Sequence, residues 1–185
     1  MCDDTNGNQR LLGNIGNPMS IEQALVVWDG KSADDIRAIY ETYYEKTDFA
    51  DSIVNLTKSE LYQKGATWLL KTWLEDGNSL EANQTKKIYH SLDKLCHWEA
   101  KLHILQSLPF MSIENADKKY VEHFLRVTLI DVNKFVRAWS YNGFYELAKQ
   151  HPEYVSEAKQ FFEMAMRDEA PSIKARIRNI MKKGF

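Results

Sequence analysis

Apolar positions along most of the chain recur every three or four residues, and this spacing predicts one helix after another. An apolar run from Ile21 to Trp28 reads as a short helix closed by Asp29-Gly30, and a second begins after Ser32 with Ile36, Ile39, Tyr40 and Tyr43 on one face. Thr57 or Ser59 can cap a helix reaching about Glu75, where Asp76-Gly77-Asn78 stops it, and Ser79 opens another that reaches about Leu95. The next runs from Trp98 to about Pro109, and Ser112 and Asn115 begin one that ends near Asp131. Asn133 caps a long helix to Gln150, and Pro152 and Pro171 bracket one further helix and start the last. No sustained two-residue alternation competes, so no strand is predicted. Gly143 falls inside a helical pattern and reads as a close-packing position.

Three of these segments repeat. Asp93 stands five positions before Trp98-Glu99-Ala100, Asp131 before Val136-Arg137-Ala138, and Asp168 before Ile173-Lys174-Ala175, at intervals of 38 and 37 residues. A period of that length marks stacked helical hairpins that bury one continuous core. Their second helices begin near Tyr62, Trp98, Val136 and Ile173. The first unit lacks the leading Asp, as expected of a terminal unit that faces solvent on one side.

On these residues the chain resembles the HEAT-repeat, armadillo-like family. The unit from Asp131 through Asn133, Val136-Arg137, Ser140, Gly143, Phe144 and Leu147 is similar to that family's turn and second helix position by position. Ala66 to Lys71, His97 to Lys101 and Phe135 to Pro152 together look like a bacterial HEAT-like group. The resemblance covers residues 57–185 well and 20–56 loosely. It departs at Glu99, where the family carries a base, and at Leu102, Leu105, Ile177 and Ile180, which are large where the family is small. It implies an all-α, right-handed α-α superhelix of about four hairpins, with residues 20–185 as a single repeat domain behind a flexible segment 1–19.

In that family the second helices line the inner, concave surface. At about 100° per residue, Val136, Ser140, Gly143, Phe144 and Leu147 fall in one apolar arc, and Ala138, Tyr141, Asn142 and Tyr145 fall opposite. Across three units the predicted contact strip is Ala100, Ala138 and Ala175; His103, Tyr141 and Arg178; Ile104, Asn142 and Asn179; Ser107, Tyr145 and Lys182. Small residues in register with Tyr and Asn suit a protein or peptide segment, because aromatic anchors lose few rotamers on binding. The charged positions Glu99, Arg137 and Lys174 are expected to pair with turn acids, Arg137 with Asp131 or Asp168, in a ladder along the stack. Of the five Trp, Trp68, Trp73 and Trp98 are assigned to packing and Trp139 to a partly exposed position.

Composition narrows the partners. At 185 residues and 44% hydrophobic the chain can bury one substantial core. Its net charge of −2 lacks the basic excess of a protein held mainly by phosphates. The charge is uneven: residues 1–60 carry eleven acids against five bases, so the remainder is positive. Bases gather on the last helix at Lys174, Arg176, Arg178, Lys182 and Lys183, an anion-binding candidate that supports nucleic-acid binding as the alternative, with HEAT-like DNA glycosylases as the comparison. The competing explanation is that bases near a helix C-terminus complement its dipole. Two cysteines, Cys2 and Cys96, do not make a disulfide framework. The first 18 residues lack a continuous apolar core and no run approaches the ~20 residues of a membrane span, so a cytoplasmic protein without membrane partners is expected.

Reaction chemistry finds little purchase. His97 and His103 are six apart and diverge on a helix, and Cys96 and His97 are consecutive, so neither pair converges on a metal or forms a nucleophile with its base. Glu99 and His103 share a face at a spacing that ordinarily just stabilises a helix. With no Gly-rich phosphate loop, H-E-x-x-H pair or nucleophile elbow, the expectation is a non-enzymatic module with no cofactor.

Overall fold

The structure, a computed structural model, describes residues 19–184. The segment 1–18 of the predicted flexible N-terminus lies outside them. Ten α-helices and no strand occur among the described residues: α1 Ile21–Val27, α2 Ala33–Tyr43, α3 Phe49–Leu56, α4 Gln63–Glu75, α5 Ala82–Tyr89, α6 Trp98–Ser107, α7 Lys118–Leu129, α8 Lys134–Gln150, α9 Val155–Asp168 and α10 Pro171–Met181. None is long and apolar enough to cross a membrane.

Local chemistry accounts for most boundaries. The Ser20 and Ser32 hydroxyls accept from Gln23 and Asp35 backbone N–H groups, and the Asn133 side chain accepts from Phe135 and Val136, each satisfying donors at a helix start. Pro171 opens α10 where its missing N–H is harmless. Four boundaries differ from the sequence expectation. An unanticipated helix, α3, precedes Thr57, whose hydroxyl donates back to the Val54 carbonyl and closes α3 instead of opening α4. The helix expected from Ser79 starts at Ala82, with the Glu81 N–H donating to Gln84 Oε1. It stops at Tyr89 and the chain continues through a 3-10 turn, Leu92–Lys94. Finally, α7 begins at Lys118, not at Ser112 or Asn115.

The even-numbered helices form a row in which α2 packs on α4, α4 on α6, α6 on α8 and α8 on α10. Beside that row α3 packs on α4 and α5, α7 on α8, and α9 on both α8 and α10. Helix α8 therefore has neighbours on most of its circumference, and every residue from Ser140 to Ala148 is buried. Gly143 is the point of closest approach: a Cβ there would lie 2.3 Å from Leu125 Cδ2 of α7 and 3.1 Å from Leu108 Cδ1, which follows α6. Its bare backbone lets three segments meet, as the sequence suggested.

Burial corrects the repeat register for α6. Trp98 is 42% exposed, whereas its assigned counterpart Val136 is fully buried. Ala100, Ile104, Leu105, Ser107 and Leu108 are the buried residues of this segment, matching Val136, Ser140, Tyr141, Gly143 and Phe144 at an offset of 36 residues instead of 38. The repeating Asp-to-apolar phrase thus marks the buried face of α8 and α10, where Val136 and Ile173 are core, and misses that of α6.

An ion-pair series links successive units. Lys64 of α4 meets Glu99 of α6 at 2.8 Å, Lys101 meets Asp131 at 3.1 Å, and Arg137 of α8 meets Glu169 at 3.1 Å. Arg137 also donates to the Asp131 and Val132 carbonyls. Its acidic partner is one residue beyond the predicted Asp168, and Glu99 finds a lysine in the preceding unit. Lys174 donates to the Arg167 carbonyl at 2.9 Å instead of pairing with Asp168.

Candidate functional site

Most of the predicted contact strip is interior. Ala100, Ile104 and Ser107 are 0–1% exposed because they belong to the core arc of α6, two positions away from where the sequence register set them. Ala138, Tyr141, Asn142 and Tyr145 of α8 are also buried, at 5–8%. The reason is lateral packing: a helix wheel separates core from its opposite side, but a middle helix in a row is covered on its flanks too. The Tyr141 hydroxyl donates to Glu169, its ring meets Phe162 edge-on, and Lys183 lies over the Tyr145 ring. Ala175, Arg178, Asn179 and Lys182 of the terminal helix α10 alone remain exposed.

His103 is largely enclosed against α4, its Nδ1 3.0 Å from the Thr67 hydroxyl. That hydroxyl donates to the Gln63 carbonyl, so its oxygen accepts from the imidazole and fixes the proton on Nδ1. Burial first, then the nearby Lys71 ammonium group and a smaller push from Lys64, bring the His103 pKa down to about 4 against an opposing pull from Glu99.

The basic cluster of α10 is divided between two flanks. Arg176 spreads over the Trp139 ring at 4.0 Å and Lys183 lies toward Tyr145, while Lys174 turns to the end of α9. Burial lowers the proton affinity of the Arg176 guanidinium. Arg178 and Lys182 stay exposed.

A different exposed surface comes into view on the row itself. On α6, Glu99 and His103 face α4, and Leu105 approaches Gly143 of α8. Between those flanks Trp98, Leu102 and Gln106 stand one helical turn apart, the first exposed and the other two partly exposed. Lys64, Trp68, Lys71 and Glu75 form the corresponding stripe on α4, and Tyr44, Trp68 and Lys71 line a groove of about 480 Å³ between α2 and α4. On α8 the least covered apolar residues are Phe135, 54% exposed, and Trp139 beneath Arg176. Sequence reasoning missed Trp98 because a large apolar residue at a repeat start reads as core. The available signal was its position at the first residue of a helix, outside the Ala100–Ile104–Leu108 stripe.

Among the described residues no three His, Cys, Asp or Glu side chains converge as a metal requires. Compared with protein-family models, curated proteins and solved structures, the chain matches none.

Proposed function

We propose that this chain is a non-enzymatic binding module: a short HEAT-like α-α superhelix of about four hairpins whose even-numbered helices present a wall to a protein or peptide segment. The single observation that carries the reading is the exposed Trp98 ring on α6, with the partly exposed Leu102 one turn on. Trp68 and Lys71 extend it over α4, and Trp139 with Arg176 extends it over α8 and α10. Trp, Tyr and Arg are the side chains that dominate binding hot spots, the two aromatics because they bury large area at small rotamer cost. The wall replaces the strip of Tyr141, Asn142 and Tyr145, which is interior.

Selection of a displayed peptide library on the immobilised chain tests this. Enriched peptides should lose at least about tenfold in affinity for a Trp98→Ala variant. The variant should melt near the parent temperature, because Trp98 is at the surface. Absence of enrichment, or equal affinity for parent and variant, overturns the reading.

The alternative, nucleic-acid binding through α10, draws support from the exposed Arg178 and Lys182. It is weakened by the engagement of Lys174 and Arg176 with protein groups. A duplex titration with a steep inverse dependence on salt would favour it.

A further inference from the structure

A cavity of about 610 Å³ lies away from the Trp98 stripe, between the end of α5 and α7. It exists because α5 is only eight residues long. After Tyr89 the chain tightens into the 3-10 turn Leu92–Lys94, which packs on α7 and leaves the space beside it open. The volume is within the ~300–1,000 Å³ of sites that take small organic ligands.

The walls have two characters. Leu92, Leu95 and Phe124 form an apolar interior, each no more than 7% exposed, and Val127 and Tyr120 form an apolar rim at 47% and 46%. Around them stand four basic side chains, His90, His123, Lys101 and Lys119, against one acid, Asp93. With the histidines counted as neutral, as in the chain's net charge of −2, the lining still carries two ammonium groups against one carboxylate.

The basic groups are held differently. The His90 imidazole stacks on Tyr120 with centroids 4.1 Å apart, and its Nε2–H donates to the buried Asp117 carboxylate at 2.9 Å. Lys101 bonds Asp131 and keeps further N–H donors. Lys119 bonds Glu122 at 2.7 Å, yet its side chain is 74% exposed and its remaining N–H donors are open to a ligand. No arginine lines the cavity, so the forked donors that suit phosphate are missing.

The geometry points to a binding site for a small organic monoanion with an apolar body, a carboxylate or sulfonate whose hydrocarbon part fills the Leu92–Leu95–Phe124 interior and whose charge rests at the Lys119–His123 rim. This site is independent of the peptide-binding wall and requires no part of it. Apolar burial supplies the affinity, and the basic rim selects anion over neutral or cationic analogues.

The test uses the full chain, anilinonaphthalene sulfonate as the fluorescent probe, and neutral N-phenylnaphthylamine as its uncharged counterpart. Dodecanoate serves as competitor. The expected result is saturable one-to-one binding of the sulfonate, displacement by dodecanoate, and affinity for the neutral probe at least about tenfold weaker. Val127→Glu, which puts a carboxylate on an exposed rim position, should weaken the sulfonate at least about tenfold, and Lys119→Gln/His123→Gln should remove the preference over the neutral probe. Trp98→Ala should change neither. Equal binding of the two probes overturns the anion assignment. Binding insensitive to both rim variants in chains whose circular dichroism and melting are intact overturns the site, as does no saturable binding of either probe.

Discussion

Arg176 lies over the indole of Trp139, its guanidinium carbon 4.0 Å from the ring centroid, so the terminal helix α10 is clasped to α8 by a cation on an aromatic face. Arg176→Ala should cost about 0.5–2 kcal/mol in urea unfolding. Arg176→Lys should recover only part of that, since an ammonium lacks the flat surface. A double-mutant cycle with Trp139→Leu should give a favourable coupling energy, and strict additivity of the two losses would refute the contact.

How much could be read beforehand depended on whether the determining forces were local. Helix α8 was legible from end to end because Asn133 caps it, Pro152 follows it and its apolar residues fall on one arc. Helix α3 was not, because Asp48 makes no side-chain cap and Phe49, Ile53, Val54 and Leu56 follow polar residues without a recognisable start. The contact strip failed for a tertiary reason: Ala100 and Ala138 are small because neighbouring helices approach them, and smallness alone does not distinguish that from exposure. The α5–α7 cavity joins residues about thirty positions apart, and no local pattern announces that two helices will leave a gap.

Gly143→Ala should destabilise the chain although alanine is the better helix former by about 1 kcal/mol. The added methyl would meet Leu125 Cδ2 at 2.3 Å, and Leu125 is itself fully buried with no free direction to retreat. Overpacking of that kind costs about 1–3 kcal/mol, enough to outweigh the propensity gain. A lowered urea midpoint with unchanged slope is the expected result. A raised midpoint would mean that α7 yields.

Arg137 ties the start of α8 to the end of α9 through the Glu169 carboxylate and holds its own preceding turn through the carbonyls of Asp131 and Val132. Arg137→Ala should cost about 1.5–3 kcal/mol, the range for hydrogen bonds to charged groups, because both partners are mostly shielded. Lys64→Ala, at a single more open ion pair, should cost about 1 kcal/mol or less. Thermal melts that rank the two variants in the opposite order would contradict the geometry.

Acid should act first on His103. The folded chain holds this imidazole neutral, with its pKa pushed down to about 4 by burial, whereas the unfolded chain titrates near 6.5. Its contribution is therefore complete above pH ~6.5 and is lost as pH falls from there towards 4, because the unfolded state takes up the proton first. The loss over that window is at most about 3 kcal/mol. Glu122, held at about 2 despite an opposing burial effect by hydrogen bonds from Lys119, Tyr154 and Arg126, loses its contribution only as pH drops below about 4.5. The two windows scarcely overlap. Urea midpoints measured between pH 7 and 4.5 should decline in the parent and flatten in His103→Gln, whose amide can still meet the Thr67 hydroxyl without taking a proton. An undiminished decline in that variant would assign the acid sensitivity to another group.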